Sequence, residues 1–184
     1  MCADWEIHPA PWPVDLPAAA EAFAAGGELA WLDSAADVVV RSEGAGCSLL
    51  CVAPRLVLEQ FDGHAATLSV RGVRLEEHED AWRLWRRTCG RLPALSPLPQ
   101  GLSPGWVGYI GFEMARQLER LPASHHEDLG LPLLRLALFD RGILLNHETH
   151  QASAVRARDL GAAVPGPVDT GSKLTRKADR FNFC

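Results

Sequence analysis

Two short segments of this sequence bring together side chains of the kinds that bind metal ions. His147 and His150 are three residues apart, whereas the H-E-x-x-H zinc pattern places its histidines four apart on one face of a helix. This segment is predicted to form a turn between strands, so we expect the two rings to lie at the surface and to point in different directions. Residues 125–128 read His-His-Glu-Asp within a polar loop, but the sequence offers no third ligand beside them. We therefore predict no metal site.

Cysteine and glycine supply the other candidates for chemistry. Cys47 and Cys51 lie four residues apart on one face of a predicted apolar strand, with no base nearby in sequence, so they are expected to pack rather than to act as nucleophiles. Gly105, Gly108 and Gly111 recur at every third position, which is not the spacing of a dinucleotide-binding loop. Glycines that thin a strand in this way predict that another backbone or a ring passes close by. No catalytic residue is predicted.

The elements that would position these residues are mostly short strands. Alternating apolar residues predict strands over residues 28–33, 55–61 and 65–70, and short apolar runs predict strands over residues 38–41 and 47–53. The strands over residues 55–61 and 65–70 form a hairpin with a two-residue turn at Asp62-Gly63. An apolar run over residues 133–146 predicts two further strands that turn on one another near residues 139–142. The predicted fold class is α+β, with antiparallel β-sheets over residues 28–73 and 106–155.

Three helices are predicted to cover the outer faces of these sheets, over residues 17–25, 76–92 and 113–121. The first is capped by Asp15 and is rich in alanine, so it forms a thin layer. The second carries Trp82 and Trp85 on its apolar stripe. Its acidic residues come first and its arginines last, as the helix dipole favours, so the arginines are predicted to be a solvated face rather than a phosphate site. The third presents Met114 and Leu118 at helical spacing.

Composition limits the possible partners and location. The chain has 184 residues, of which 47% are hydrophobic, and this is enough for one domain with a core. Its net charge of -5 gives no electrostatic reason to expect a nucleic acid or an anionic membrane as a partner. No apolar run reaches the ~20 residues that span a bilayer, and no secretory leader is evident, so a cytoplasmic protein is expected.

Cysteine usage and the end of the chain carry two further expectations. The five cysteines are odd in number and lack C-x-x-C spacing, so reduced thiols are predicted. A Pro/Gly-rich stretch separates the apolar, periodic part of the chain from its last residues. We predict one domain over residues 1–163, and either a linker or an aberrant C-terminal tail over residues 164–184.

Four motifs follow one another in an order typical of a known family. They read WLDSA at residues 31–35, CSLLCVAP at 47–54, GWVGYIGFE at 105–113 and DLGLPLLRLALFDRGILLNH at 128–147. In this order the chain resembles, over residues 16–151, the N-terminal domain of the chorismate-utilising synthases. These are component I of aminodeoxychorismate synthase and component I of anthranilate synthase. The LDSA wording is closer to the aminodeoxychorismate branch than to the LLES of the anthranilate branch.

The resemblance implies a ligand pocket beside the first motif. The motif serine, here Ser34, lines a pocket that holds tryptophan in this family. A hydroxyl at a strand end can bind an amino or carboxylate group, and nearby Arg41 can pair with a carboxylate. The alternative is that Ser34 only caps a turn. Gly46 and Cys47 replace the arginine and the aromatic residue that usually precede the family's strand serine, here Ser48, and this departure puts ligand contacts from that strand in doubt.

The resemblance also implies a function for the whole protein. It predicts the N-terminal portion of an aminodeoxychorismate synthase component I, which makes 4-amino-4-deoxychorismate from chorismate and ammonia delivered by a glutamine amidotransferase partner. Magnesium and chorismate would bind in a C-terminal domain that this sequence does not contain, so the chain is expected to hold no cofactor and to be inactive alone.

Two alternatives remain open, together with one expectation about the surface. The chain could instead be an anthranilate synthase component I fragment, or a non-catalytic module that binds an amino acid or a protein. Without the C-terminal domain, Trp106, Ile110 and Leu138 are expected to lack cover, and the fragment is expected to self-associate.

Overall fold

Two five-stranded sheets, two α-helices and a short 3₁₀ helix make up the described structure. The computed structural model describes residues 2–33, 46–98, 101–120, 129–158 and 160. The strands are β1 (Cys2–Ala3), β2 (Trp5–Ala10), β3 (Leu29–Asp33), β4 (Cys47–Val52), β5 (Leu56–Gln60), β6 (Ala66–Val70), β7 (Val73–His78), β8 (Ala94–Leu95), β9 (Trp106–Ile110), β10 (Leu134–Leu138), β11 (Arg141–Asn146) and β12 (Gln151–Ala157). The helices are α1 (Leu16–Ala24), α2 (Ala81–Arg91) and the 3₁₀ helix Phe112–Gln117. The predicted strand over residues 38–41 and the predicted tail over residues 164–184 lie outside the described residues.

The strands form two antiparallel sheets, which confirms the predicted α+β class. Sheet I has the order β2-β12-β11-β4-β3, and sheet II has the order β7-β6-β5-β10-β9. A separate parallel pair joins β1 to β8. The predicted hairpin of β5 and β6 is confirmed, but its loop is residues 61–65 rather than a two-residue turn. Within this loop the backbone N–H of His64 donates to the carbonyl of Phe61 at 3.2 Å, and Gly63 supplies a φ of 67°.

The chain passes from sheet II to sheet I at Phe139 and Asp140. The predicted pairing of the two strands within residues 133–146 is therefore wrong, because β10 pairs with β5 and β9 whereas β11 pairs with β4 and β12. The buried Asp140 carboxylate binds Arg55, at the crossing from β4 to β5, at 2.6 Å and Arg141 at 2.9 Å. Burial acts to raise the pKa of Asp140, but the hydrogen bonds and charges of Arg141 and Arg55 lower it. The charged Asp140 thus fastens the two crossings together.

Three apolar clusters show how the elements are layered. Between the two sheets lie Cys47, Leu49, Cys51, Val57, Ala137, Phe139, Leu144 and Val155. Helix α2 packs on the other face of sheet II, and helix α1 packs on the other face of sheet I. Arg135 adds a polar tie, since it binds Glu28 beside sheet I at 2.8 Å and also binds Glu59 in sheet II. The order of layers is α1, sheet I, sheet II, α2.

Helix α2 begins five residues later than predicted, because residues 73–78 form strand β7 against β6. Arg71 and Gly72 reverse the chain with φ of 49° and 76°, and the Asp80 carboxylate caps the helix by accepting from the Arg83 N–H at 2.9 Å. The most buried side chains of α2 are Ala81, Leu84 and Thr88. The predicted Trp82 and Trp85 stripe flanks them, half-buried against the same core.

The arginines of α2 lie on its solvated face, as predicted. All four are exposed: Arg83, Arg86, Arg87 and Arg91. Glu76, which the prediction placed in the helix, instead lies on β7 and binds both Arg87 and Arg91. Arg87 and Arg91 therefore join helix α2 to strand β7.

The element after β9 is a 3₁₀ helix, not the predicted α-helix over residues 113–121. Only Met114 of this helix is buried, and Leu118 is 68% exposed, so the expected apolar stripe does not form. Gln117 fixes the end of the helix by donating to the side-chain oxygen of buried Gln60 at 2.7 Å. One turn of apolar contact is too little to hold a longer helix against the sheet.

Two of the three glycines around β9 confirm the predicted close approach of another backbone. A Cβ at Gly108 would overlap the carbonyl oxygen of Arg135 in β10, and a Cβ at Gly111 would lie 2.9 Å from that of Leu133. The expectation is wrong for Gly105, where no atom lies within 4 Å of an added Cβ. Strand β9 thus needs glycine only where it lies against β10.

Candidate binding site

The two predicted site residues, Ser34 and Arg41, lie outside the described residues. Their neighbours on the chain are described, because β3 ends at Asp33 and the chain resumes at Gly46 before β4. The described residue next to Ser34 along the chain is Asp33, at the end of strand β3 in sheet I.

The face of sheet I beneath α1 is ordered by the strand register. Side chains two residues apart on a strand share a face, so the pairings define rows across the sheet. The rows are Glu6-Arg156-Arg141-Val52, then His8-Ala154-Ile143-Leu50, then Ala10-Ala152-Leu145-Ser48. One end of this face is therefore charged, its middle is apolar, and its other end leads to Ser48 and Asp33.

At that second end, Ser48 joins β3 to the turn between β11 and β12. Its hydroxyl donates to the Asp33 carboxylate in a short hydrogen bond, and it lies 2.6 Å from Nε2 of His147. A hydroxyl has a single proton to donate, so the His147 Nε2 must donate to Ser48 and must itself carry a proton. This arrangement fixes the orientation of the imidazole beside the strand end that leads to Ser34.

The cluster of Asp33, Ser48 and His147 is not a nucleophilic triad. In such a triad the carboxylate binds the imidazole and the imidazole binds the nucleophile, whereas here the hydroxyl stands between the other two. Ser48 is also fully buried, so no substrate reaches its oxygen. The geometry supports positioning and binding rather than covalent catalysis.

Trp12 brings the two histidines of the turn together. The His150 ring stacks on Trp12 with centroids 4.1 Å apart, and the His147 ring meets it edge-on at 5.5 Å. The expectation that these rings point in different directions is wrong, because both contact one indole. His150 also has a φ of 53°, which is rare for a residue other than glycine. Trp12 lies between Pro11 and Pro13, and these two prolines in the sequence are the signal by which a fixed indole could have been noticed.

A cavity of about 650 Å3 lies between α1 and this face of sheet I. Most of its lining is apolar, with Trp12, Leu16 and Phe23 on one side and Leu50 and Ile143 on the other. A smaller cavity of about 240 Å3, at the charged end, shares four lining residues with it. The larger volume falls in the range of small-molecule sites, roughly 300–1,000 Å3.

The two residues that depart from the family pattern, Gly46 and Cys47, present no side chain to the face of sheet I beneath α1. Gly46 has no side chain, and a Cβ there would meet Glu148 at 3.2 Å. Cys47 and Cys51 are buried and face the core between the sheets, which confirms that they pack. Burial, with a smaller effect from the charge of Glu148, raises the pKa of Cys47, and burial raises the pKa of Cys51 to about 12. Both thiols are therefore protonated and unreactive at neutral pH.

No group of three or more His, Cys, Asp or Glu side chains within the described ranges is arranged to hold a metal ion, and residues 125–128 lie outside those ranges. Among the described helices, none has the length and apolar character needed to cross a membrane.

Comparisons with known proteins give a sequence match over part of the chain and structural matches, one of which is described here. No protein-family model matches the chain. Aminodeoxychorismate synthase component 1 of Escherichia coli is 28% identical over 58 residues, which are 32% of this chain and 13% of that protein. Anthranilate synthase component I of Streptococcus pneumoniae, a solved structure, matches with a TM-score of 0.49 and 18% identity over 71% of this chain and 28% of that one.

These matches bear on the resemblance first stated from the motifs. Each spans under a third of the known protein, so the chain corresponds to a small part of either one. The TM-score is too low to support an argument about function. The sequence match confirms that the chain is similar to the chorismate-utilising synthases.

Proposed function

We propose that this chain is the N-terminal portion of an aminodeoxychorismate synthase component I. The whole enzyme would convert chorismate and glutamine-derived ammonia to 4-amino-4-deoxychorismate, for 4-aminobenzoate and folate synthesis. The 58-residue match to the Escherichia coli enzyme of that name is the observation that carries the proposal. The LDSA motif at residues 32–35 favours this branch over anthranilate synthase.

In this proposal the described residues support chemistry that takes place elsewhere. Ser48 is shielded, both buried thiols are protonated, and the described ranges contain no cluster of acidic side chains for magnesium. Magnesium and chorismate would instead bind to a C-terminal chorismate-binding domain, and a glutamine amidotransferase subunit would deliver the ammonia. A cytoplasmic location is part of the same proposal.

The edge of sheet II provides a surface for such a second domain. Strand β9 pairs only with β10 among the described strands, and it exposes Tyr109 and Ile110. Phe112, directly after β9, is 81% exposed. The expectation that Leu138 lacks cover is wrong, since it is buried, and Trp106 is half-buried, so the open apolar surface is narrower than predicted.

A non-catalytic binding module is the second candidate. The cavity under α1 and the ordered Trp12 favour it, because a mostly apolar cavity beside fixed polar groups suits a small ligand. In the family-based version of this hypothesis, Ser34 and Arg41 hold an amino acid such as tryptophan.

Sequencing the gene and measuring tryptophan binding separate these candidates, and an activity assay tests an expectation that both share. Sequencing the gene beyond the codon for Arg180 in all three frames should reveal a chorismate-binding domain if the chain is a synthase portion. The purified chain, incubated with chorismate, magnesium and ammonium, should form no aminated product above the no-enzyme control. A gene that encodes no further domain, together with saturable tryptophan binding in calorimetry, would favour the module. Product formed by the chain alone would contradict both candidates.

A further inference from the structure

We propose that the cavity between α1 and sheet I binds a small apolar carboxylate, whose anionic group is held by Arg156 and Arg141. This site does not depend on the proposed synthase function. It also lies away from the predicted amino-acid pocket, because Arg141 and Arg156 are at the end of sheet I opposite to Asp33 and Ser48.

Small side chains in the floor create the space for the apolar part of the ligand. Ala10 on β2 and Ala154 on β12 line the cavity together with His8, where larger residues would fill the gap to α1. On the helix, Ala19 lines the cavity between the larger side chains of Leu16 and Phe23. The result is a partly open cavity of about 650 Å3 between the helix and the sheet, which is large enough for a small molecule.

The charged end of the face has more guanidinium groups than carboxylates to pair with them. Arg141 and Arg156 are directly opposite one another on β11 and β12, where like charges repel. Asp140 binds Arg141 but is shared with Arg55, and Glu6 beside Arg156 binds Arg158 instead, at 3.3 Å.

Arg156 itself makes no ion pair with another described residue. An anion between Arg141 and Arg156 would relieve their repulsion and gain charge-assisted hydrogen bonds.

The apolar and cationic parts are continuous. The smaller cavity holds both arginines and shares His8, Phe23, Ile143 and Ala154 with the larger one. A ligand with a carboxylate at one end and a ring or short alkyl chain at the other would place each part in a matching environment. A neutral apolar molecule would leave the arginines unpaired, and a small inorganic anion would leave the apolar volume empty.

The full chain is titrated with two carboxylates, 2-naphthoate and decanoate, and with the neutral analogue 2-naphthalenemethanol. Binding is followed by calorimetry and by the shifts of methyl signals in nuclear magnetic resonance. Saturable binding of at least one carboxylate, at least about tenfold tighter than the neutral analogue, is expected, with shifts at Ala19 and Ala154. The two carboxylates distinguish a ring-shaped ligand from an alkyl chain, and binding of either supports the proposal.

Variants then test the two parts of the site separately. Arg156→Ala should weaken carboxylate binding about tenfold, whereas Arg83→Ala, which removes an exposed arginine from α2, should leave it unchanged. Ala19→Leu should narrow the cavity and weaken carboxylate binding while the chain stays folded, as judged by its unfolding midpoint. The proposal is overturned if neither carboxylate binds saturably, if the neutral analogue binds as tightly, or if Arg156→Ala and Arg83→Ala behave alike.

Discussion

Helix α2 lies on sheet II and helix α1 lies on sheet I in equivalent outer layers, but different side chains fill the two contacts. Helix α2 buries Ala81, Leu84 and Thr88, with Trp82 and Trp85 closing the sides. Helix α1 buries only Ala20, and a cavity of about 650 Å3 is left beneath it. The same architectural position therefore gives a closed core where the helix carries large residues and a binding volume where it carries alanine.

The largest expected effect on stability is that of Asp140→Asn, which acts on both helix layers. Asp140→Asn removes the buried charge that pairs with Arg55 and Arg141 where the chain crosses between the two sheets. We therefore expect the free energy of unfolding to fall by about 3–5 kcal/mol. Urea denaturation followed by circular dichroism measures it. Arg74→Ala, which breaks an exposed pair with Glu77, is the control and should change stability by at most about 1 kcal/mol.

The same carboxylate sets a pH dependence. Because the pKa of Asp140 is lowered in the folded state, its contribution is fully present above the unfolded value of about 3.9 and is lost as pH falls through the lower folded value. Stability of the parent chain should therefore decline more steeply below about pH 4 than that of Asp140→Asn. Parallel declines in the two proteins would contradict the assignment.

Truncating one leucine in each layer sharpens the comparison. Leu84→Ala empties a fully buried site under α2 and should cost about 2–5 kcal/mol of unfolding free energy. Leu16→Ala, in the half-buried contact of α1, should cost roughly 1 kcal/mol. Equal losses in urea denaturation would mean that the two layers are packed alike.

Enlarging one alanine in each layer should give opposite signs. Ala81→Leu adds volume to a closed core and should destabilise the chain by about 1–3 kcal/mol. Ala19→Leu adds the same groups to the cavity and should stabilise it by about 1 kcal/mol. Thermal unfolding of both variants measures these changes in stability. Destabilisation by Ala19→Leu would show that the cavity has no room for the larger side chain.

Sequence reasoning identified most of these elements but not how they are joined. The apolar patterns of β4, β5 and β6 and the cap at Asp15 are local signals. The structure confirms the strands and the first helix that they predicted. The crossing at Asp140 was missed because a turn and a sheet crossing have similar local sequences. Asp140 lies at this crossing in an ion pair with Arg55, 85 residues away along the chain, and no local pattern predicts such a contact.

For the candidate site, too, the sequence indicated individual residues but not how they are grouped. Ser48, His147 and His150 were all noticed in the sequence, yet their grouping depends on the register of β4 with β11 and on Trp12. The cavity could not be predicted, because it arises where alanines of three separate elements face each other. Motif order did predict the resemblance to the chorismate-utilising synthases, which the sequence match confirms.

The smallest expected effect concerns the polar end of sheet I. Ser48→Ala removes the hydroxyl between Asp33 and His147 and should lower the unfolding free energy by roughly 1 kcal/mol. Ser69→Ala, whose hydroxyl makes only a long contact of 3.4 Å with the Val57 carbonyl, is the matched control and should have a smaller effect. A larger loss for the control would show that Ser48 does not fix this end.

The proposed synthase function is tested most directly by restoring activity from two parts. This chain would be mixed with a separately produced C-terminal chorismate-binding domain, chorismate, magnesium and ammonium, and formation of 4-amino-4-deoxychorismate would be followed over time. We predict no product from this chain alone and a rate for the mixture that is higher than that of the C-terminal domain alone and rises until the added chain saturates. A rate that does not respond to this chain, with no complex detected between the two parts, would contradict the proposal.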